Sequence, residues 1–530
     1  MNQEMNNNGC NQPYYIPTNY IPTNYVVMGN QQRINDSKFR ENFPALCIAT
    51  ILNAIIYAIC VYKNASGLAY YVHIICNIVY MVFCLRKLEL SVKKGSIFYI
   101  VAIGLLGVAT FCTDNGTVVL FNRMGILTLQ VVFLLDNVFD TKKWQFCKYF
   151  LATMTTGVMA IGEIVNPFED TYDYFQKRKG KDNSKILYGL IGCVLAIPVL
   201  VVMLVLLSSA DIVFKDWIIK IFGDIYIEDM IGITVLFVLM FMTSYCIMSY
   251  LSKREIDDNV KDTKKLEPML VIPVTMLLTI LYVVFSWIQI AYLFVGEFKL
   301  PEGYTYAQYA REGFFQLLAV GIINLIIVLA SIGFTKRSKV LKIILTVMSL
   351  CTFIMIASSA VRMITYIRFY YLTFLRVFVL WALLVLFVIF IGVIVYIYKE
   401  SFPIFKYVLI TVTCFYIIFS FSRPDYYIAK VNLSSTDGKE NEFFLGGSFD
   451  DYGFLLDMSA DAAPVVADWM KEKGYKYNGE SKYINENYES NYSIEEFADF
   501  YMCMADEDSR DMGIRNFNVS RYKAKLLLDK

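Results

Sequence analysis

Residues 375–398 read LRVFVLWALLVLFVIFIGVIVYIY. The stretch carries one charge, Arg376, in its second position. As an α-helix rising 1.5 Å per residue it is about 36 Å long, more than the roughly 30 Å of a bilayer's hydrocarbon core. A helix apolar on every side has no solvated face, so this one is read as a membrane span. The same rule finds ten more blocks, at 43–62, 67–85, 97–112, 118–138, 186–207, 231–251, 271–295, 314–334, 340–361 and 405–421. The block at 97–112 is short and is expected to extend into Ser96 and Thr113. Hydrocarbon offers no partner to a bare N–H or C=O, so the spans must be helices. The fold class is therefore all-α integral membrane, a polytopic bundle of about eleven spans with a small, mainly helical domain after them.

Composition agrees with that reading. Of the 530 residues 57% are apolar and 18% charged, and the mean hydropathy is +0.50. Soluble chains run at about 45–50% apolar and about 25% charged. A cytosolic enzyme, a secreted disulfide scaffold and a nucleic-acid binder are excluded. Lys and Arg give the orientation, because cytoplasmic loops hold the excess. With the N-terminus cytoplasmic, the inside segments carry 26 and the short outside loops 8. The C-terminal domain is then extracytoplasmic. No block resembles a cleavable signal, so the first span is expected to serve as an uncleaved signal-anchor.

The polar parts divide as follows. Residues 1–42 are expected to be a disordered cytoplasmic tail, rich in Asn and Gln, with Ile-Pro-Thr-Asn-Tyr repeated at 16–20 and 21–25. Spans one to four occupy 43–138 and spans five to eleven 186–421. Between them, 139–185 is a cytoplasmic loop. Its segment 144–165 is apolar on one side and basic at both flanks, which favours a helix lying in the interface over a twelfth crossing. Residues 422–530 form the extracytoplasmic domain; from 430 onward it holds 20 acids against 12 bases. Helices are expected from Ser459, from the capping box Ser493-x-x-Glu496, and over Val519–Leu528. Gly474 and Gly479 punctuate the Tyr-rich stretch between the first two. Nine of the 12 cysteines fall in spans, Cys147 in the interfacial helix, Cys10 in the tail and Cys503 in the outer domain. None stand at C-x-x-C spacing, so no disulfide holds the outer domain.

Chemistry-bearing residues are sparse. His73 is the chain's one histidine, which leaves no multi-histidine metal site, and no metal or cofactor is expected. It reads as a hydrogen-bonded packing residue, with a proton-handling role as the alternative. There is neither a phosphate-binding G-x-x-x-x-G-K-[ST] loop nor a G-x-S-x-G nucleophile elbow. The spans lack midplane carboxylates. Asp136 stands at one end of its span, which weakens an ion-coupled carrier. Pro198 is mid-span and is expected to kink its helix. The intruding charges gather near the outer interface: Arg123, Arg311, Arg362, Arg368 and Arg376, with Asp114, Asp211, Glu312 and Asp425 at the same level. Such arginines pair with the acids, snorkel, or grip a phosphate in bidentate fashion.

Several stretches point further. They are Asn122-Arg123-Met124-Gly125-Ile126-Leu127; Leu206-Leu207-Ser208-Ser209-Ala210-Asp211 with Phe214; Tyr309-Ala310-Arg311-Glu312-Gly313-Phe314-Phe315; and Arg362 and Tyr366 with Leu372-Thr373-Phe374-Leu375-Arg376. Then follow Pro424-Asp425 with Ile428-Ala429-Lys430 and Asn432; Ser459-Ala460-Asp461-Ala462-Ala463-Pro464; and Phe517-Asn518-Val519-Ser520-Arg521-Tyr522 with Ala524. Together and in this order they resemble a bacterial polytopic membrane family known as domain of unknown function 4153, with its relative 4173. The resemblance spans about residues 97–530. Tyr371 departs from it, where the family often has Gly before Leu-Thr. It implies the architecture and a bacterial cell envelope, implies no activity, and marks Arg123, Arg311, Arg362, Arg376, Asp211 and Asp425 as motif positions.

Three functional readings follow. The first is a non-enzymatic binding or regulatory protein of the cell membrane. Its outer arginines would hold an anionic lipid headgroup, or a partner, and its acidic domain would cover them or engage an envelope protein. The second is a transporter or channel with the kinked fifth span on its path. The third is a membrane-embedded transferase on a lipid-linked substrate, with Asp211 or Asp425 as base. A polar passage through the spans favours the second; a closed apolar interior with an outer pocket favours the others.

Overall fold

The computed structural model describes residues 30–64, 66–141, 144–176, 227–253, 264, 266–291, 306–370, 372–436, 455–475, 477, 494–510 and 512–528, with scattered positions between 192 and 217. The described residues are overwhelmingly helical, and none forms a strand. Ten of their helices are long and apolar enough to cross a membrane. These coincide with ten of the eleven blocks read from hydropathy. The eleventh, 186–207 with its Pro198, lies largely outside the described residues.

In chain order the helices are α1 (Asn30–Glu41), α2 (Phe43–Val61), α3 (Leu68–Lys87), α4 (Ile97–Cys112), α5 (Gly116–Val138), α6 (Phe146–Ala160) and α7 (Asn166–Gln176). Then come α8 (Ile227–Lys253), α9 (Pro268–Gln289), α10 (Tyr306–Phe334), α11 (Lys339–Tyr370), α12 (Phe374–Tyr398) and α13 (Ile404–Phe421). Beyond the spans lie α14 (Pro424–Thr436), α15 (Ala463–Lys473), α16 (Ile494–Arg510) and α17 (Val519–Leu528). A 3-10 turn, Lys94–Ser96, opens α4 and lengthens the short third span.

The bundle has two faces. Residues after Phe421 pack on one, here termed the capped face. The other, the basic face, carries the Lys- and Arg-rich loops. Two cores divide the bundle. The first joins α1–α5, Trp144, Tyr149 and Ala152, α8, and Tyr416 and Phe419 of α13. The second joins α10, α11, α12 and Ile404. Close approach needs small residues: a Cβ on Gly232 would lie 2.2 Å from the Tyr62 ring, and one on Gly392 2.1 Å from the Tyr407 ring. Helix α9 keeps its apolar residues outward, Leu277 and Trp287 being 70% and 74% exposed, as a lipid-facing helix does.

The basic face is fastened by acids that sequence depth alone did not rank. Asp136 accepts hydrogen bonds from Tyr99 Oη and Lys406 Nζ, each at 2.9 Å, and from Thr141 and Tyr149. Asp170 accepts from Lys253 Nζ and Tyr245 Oη, both at 2.8 Å. Glu400 meets Lys264 at 2.6 Å and Arg337 at 3.1 Å. Burial opposes its charge, yet those two cations outweigh burial and hold its carboxyl below the ordinary value.

Helix α1 corrects the expectation of an unstructured tail up to residue 42. From Asn30 the chain is helical, because Phe39, 1% exposed, packs edge-on against Tyr245 at 5.7 Å and Arg40 binds Asp173 at 2.8 Å. Helix α6 continues through a 3-10 turn, Ile161–Glu163, and is not among the ten helices long and apolar enough to cross a membrane. Tyr149 fixes its start to the end of α5. Beyond its end, Asn166 Nδ2 reaches Ser249 Oγ of α8 at 2.9 Å.

Candidate functional site

The C-terminal residues form their own core, built on Ala429, Leu433, Val466, Trp469, Phe497 and Tyr501. The three helices expected there are present. Ser459 opens the first, its hydroxyl accepting from Asp461 N at 3.4 Å, and Gly474 closes it at φ +78°, a left-handed turn that suits glycine.

This unit docks on the first half of the bundle through residues 514–522. Phe517 O accepts from Leu68 N at 2.9 Å and Arg515 O from Ala69 N at 3.1 Å. Asn518 Nδ2 donates to Thr113 O at 2.8 Å and Ser66 O at 3.2 Å. Arg521 pairs with Asp114 at 2.8 Å. A Cβ on Gly67 would come within 2.7 Å of the backbone at Arg515 and Asn516, so glycine permits this approach. At the centre of the seam two acids are buried. Asp425 accepts from Asn115 Nδ2 at 2.9 Å and from Ser459 Oγ at 2.6 Å. Asp461, 1% exposed, accepts from Thr113 and Ser520. Burial and the nearby Asp425 raise its pKa, against the hydroxyl donors and Arg423. A second fastening holds the other half: Asn432 Nδ2 donates to Leu372 O while its Oδ1 accepts from Leu372 N, each at 2.9 Å.

Below this roof lies a cleft of about 590 Å³ between α2, α3, α5 and α8. One side of α5 lines it with Leu120, Arg123, Met124, Leu127, Gln130, Val131 and Leu134, the spacing of a single helix face. From Arg123 to Leu134 is about 16 Å along the axis, half the hydrocarbon thickness. Most of the wall is aliphatic or Met. Near the capped face stand Tyr57, Tyr70, His73 and Arg123; deeper lie Asn77, Tyr80, Gln130, Thr243 and Ser244. The Arg123 guanidinium sits 4.6 Å over the Tyr70 ring, and its Nη2 donates to Asn64 O at 3.3 Å. Asn64 Nδ2 in turn donates to Arg515 O at 3.1 Å, which ties the mouth of the cleft to the docked segment.

The arginines singled out by depth do not all stand here. Arg362 belongs to the second half: its Nη2 donates to Gln289 Oε1 at 3.2 Å, and a Cβ on Gly313 would lie 1.8 Å from its Nη1. Arg376 lies 4.3 Å over the ring of Tyr366, one turn along α11 from Arg362. The side chains of Arg311, Glu312 and Arg368 lie outside the described residues. Asp211 is exposed and accepts from the backbone N–H of Val213 at 2.7 Å and of Phe214 at 3.2 Å. The cleft's tyrosines, Asn77 and Gln130 had no sequence signal, because polar residues scattered through spans do not reveal a common wall. The described residues hold no group of three metal-ligating side chains.

Fold and site together define a multi-pass helical membrane protein with a helical cap docked on one face and a half-open cleft beneath it. The chain belongs to the family described as Domain of unknown function (DUF4153), whose model matches residues 100–469. No curated protein and no solved structure matches the chain.

Proposed function

We propose that this is a non-enzymatic lipid-binding protein of the bacterial cell membrane, and that the cleft holds one anionic lipid with its phosphate at Arg123. The N-terminus is then cytoplasmic and the capped face outward, as the loop charges require. The observation that carries the reading is the position of Arg123. A guanidinium stands at the top of a mostly aliphatic cleft as deep as one leaflet, where a lipid tail lies beside its own headgroup charge. Arginine suits the task because its planar fork grips phosphate oxygens in pairs. Among the described residues the deeper polar lining is neutral, Asn77, Tyr80, Gln130, Thr243 and Ser244, an arrangement that favours holding an amphiphile over conducting an ion.

Native mass spectrometry of gently solubilised protein tests this. Wild type is expected to retain a stoichiometric anionic lipid, Arg123→Gln to lose most of it, and Arg362→Gln to keep it. Equal retention by wild type and Arg123→Gln would overturn the assignment.

A further inference from the structure

We infer that Asn64 is the positioning residue of the lipid site and couples lipid binding to docking of segment 514–522, each strengthening the other; this rests on the lipid-site reading above. Helices α2 and α3 meet in a turn, residues 62–67, beside Val61, Tyr70 and Arg123 of the cleft. A helix end leaves backbone groups without intrahelical partners, and Gly67 has no side chain to cap α3. The docked segment serves both ends. Leu68 N and Ala69 N, the first donors of α3, give to Phe517 O and Arg515 O. The Arg515 guanidinium donates to Tyr62 O at 2.9 Å and Ile59 O at 3.4 Å, where α2 ends. A cation there complements the negative end of the helix dipole. Arg515 thus holds α2 by its side chain and α3 by its backbone.

Asn64 carries that hold into the site. It is 5% exposed. Its Nδ2 donates to Cys60 O at 3.0 Å and to Arg515 O at 3.1 Å, and its Oδ1 accepts from Gly67 N at 2.8 Å. Its backbone oxygen is the acceptor for Arg123 Nη2. The carbonyl that fixes Arg123 therefore belongs to a residue whose own amide is fixed by the docked segment. Tyr62 and Lys63 are held from another side, by Asp229 of α8, each at 2.6 Å. Asn64, Ser66, Leu68 and Ala69 bond instead to residues 515–518. Residues 513–515 are exposed, Ile514 at 89%. Hydrogen bonds rather than apolar burial keep this part of the segment down, and such segments open locally at low free energy. With the segment down, the guanidinium is held over Tyr70 before a phosphate arrives, and less side-chain freedom is lost on binding. Linkage makes the effect reciprocal: a lipid at Arg123 favours the docked segment.

Hydrogen–deuterium exchange on the full-length solubilised protein tests this, with phosphatidylglycerol as the anionic probe and phosphatidylcholine as the neutral control. In wild type, saturating phosphatidylglycerol should slow exchange at 514–522 by about tenfold, within the usual range of coupling between sites. Phosphatidylcholine should not, and Arg123→Gln should abolish the protection. In the other direction, Arg515→Gln should weaken phosphatidylglycerol binding by about the same factor. Arg515→Lys, which keeps a cation at the end of α2, should restore part of it; this side chain is exposed, so both variants are expected to fold. In Asn64→Ala, phosphatidylglycerol should bind more weakly and no longer change exchange at 514–522. Arg123-dependent binding that leaves exchange there unchanged or faster in wild type overturns the coupling while the lipid site stands, and that comparison needs no variant to fold. Protection that survives in Asn64→Ala overturns the role of Asn64. If phosphatidylglycerol does not bind in an Arg123-dependent way, the site itself is refuted.

Discussion

Arg123 and Arg362 were equivalent by depth, and the structure gives them different neighbours. Arg362 is packed against Gly313 and bonded to Gln289, with Ser358 Oγ donating to the same Gln289 Oε1 at 2.6 Å. Like Arg123 it is half-buried. Arg123 has an aromatic face on one side and a cleft on the other. The halves also differ in their roofs: segment 514–522 lies over the first, and the Asn432–Leu372 clamp holds the second. An arginine near a membrane surface therefore identifies nothing until the space beside it is known. The same guanidinium is a packing element in one half and a candidate headgroup ligand in the other.

The largest expected effect breaks the roof of the first half. Gly67→Ala places a Cβ against backbone at Arg515 and Asn516, which cannot yield as a flexible side chain can. Docking should weaken by about 3 kcal/mol. Hydrogen–deuterium exchange at residues 514–522 should rise sharply, with the Asn432 clamp unchanged. Unchanged protection there would mean that the close approach is dispensable.

Next in size is the arginine pair. Arg123→Gln should weaken anionic-lipid binding by about 2 kcal/mol, or roughly 30-fold, the scale of a charge-assisted hydrogen bond. Arg362→Gln should leave binding intact and lower thermal stability. If both variants lose lipid alike, the contrast between the halves fails.

Gly313→Ala sharpens the same contrast. The intruding methyl displaces the flexible end of Arg362 from Gln289, at about 1–2 kcal/mol. Stability should fall and lipid retention should not, as a melting curve beside native mass spectrometry would show.

The smallest effect is in pH. Asp461 has its pKa raised by burial at the seam, so the docked state binds its proton more tightly than the undocked state does. Docking should therefore strengthen as pH falls through the raised value toward the ordinary carboxylate range, by at most about 1.4 kcal/mol per pH unit. Below that range the gain is complete and constant. Asp461→Asn should remove this slope in the exchange of 514–522; a slope that persists would assign it elsewhere.

The spans were legible because hydrocarbon allows one secondary structure and sets its length. The C-terminal helices were legible from local chemistry, at Ser459 and Gly474 and in the capping box Ser493-x-x-Glu496. The seam was legible only as motif: Asp425, Ser459, Asp461, Asn518 and Ser520 all stood in the stretches that carried the resemblance, and only Asp425, by its depth, and Ser459, as a helix start, had a reason of their own. Their reason is contact between residues hundreds of positions apart, which hydropathy does not encode. Helix α1 was missed because its mean polarity hides one buried Phe39. The cleft was missed because it is a space between helices, and periodicity describes each helix singly. His73 was noticed for its rarity and read as packing, and it lies buried against Tyr57 and Tyr70.

The most direct measurement is a cryo-EM map of the protein in nanodiscs made with anionic glycerophospholipid. The account predicts elongated density in the cleft between α3, α5 and α8, its head against Arg123 and its tail reaching toward Leu134. A cleft closed by side chains, or lipid headgroup density at Arg362 instead of Arg123, would contradict it.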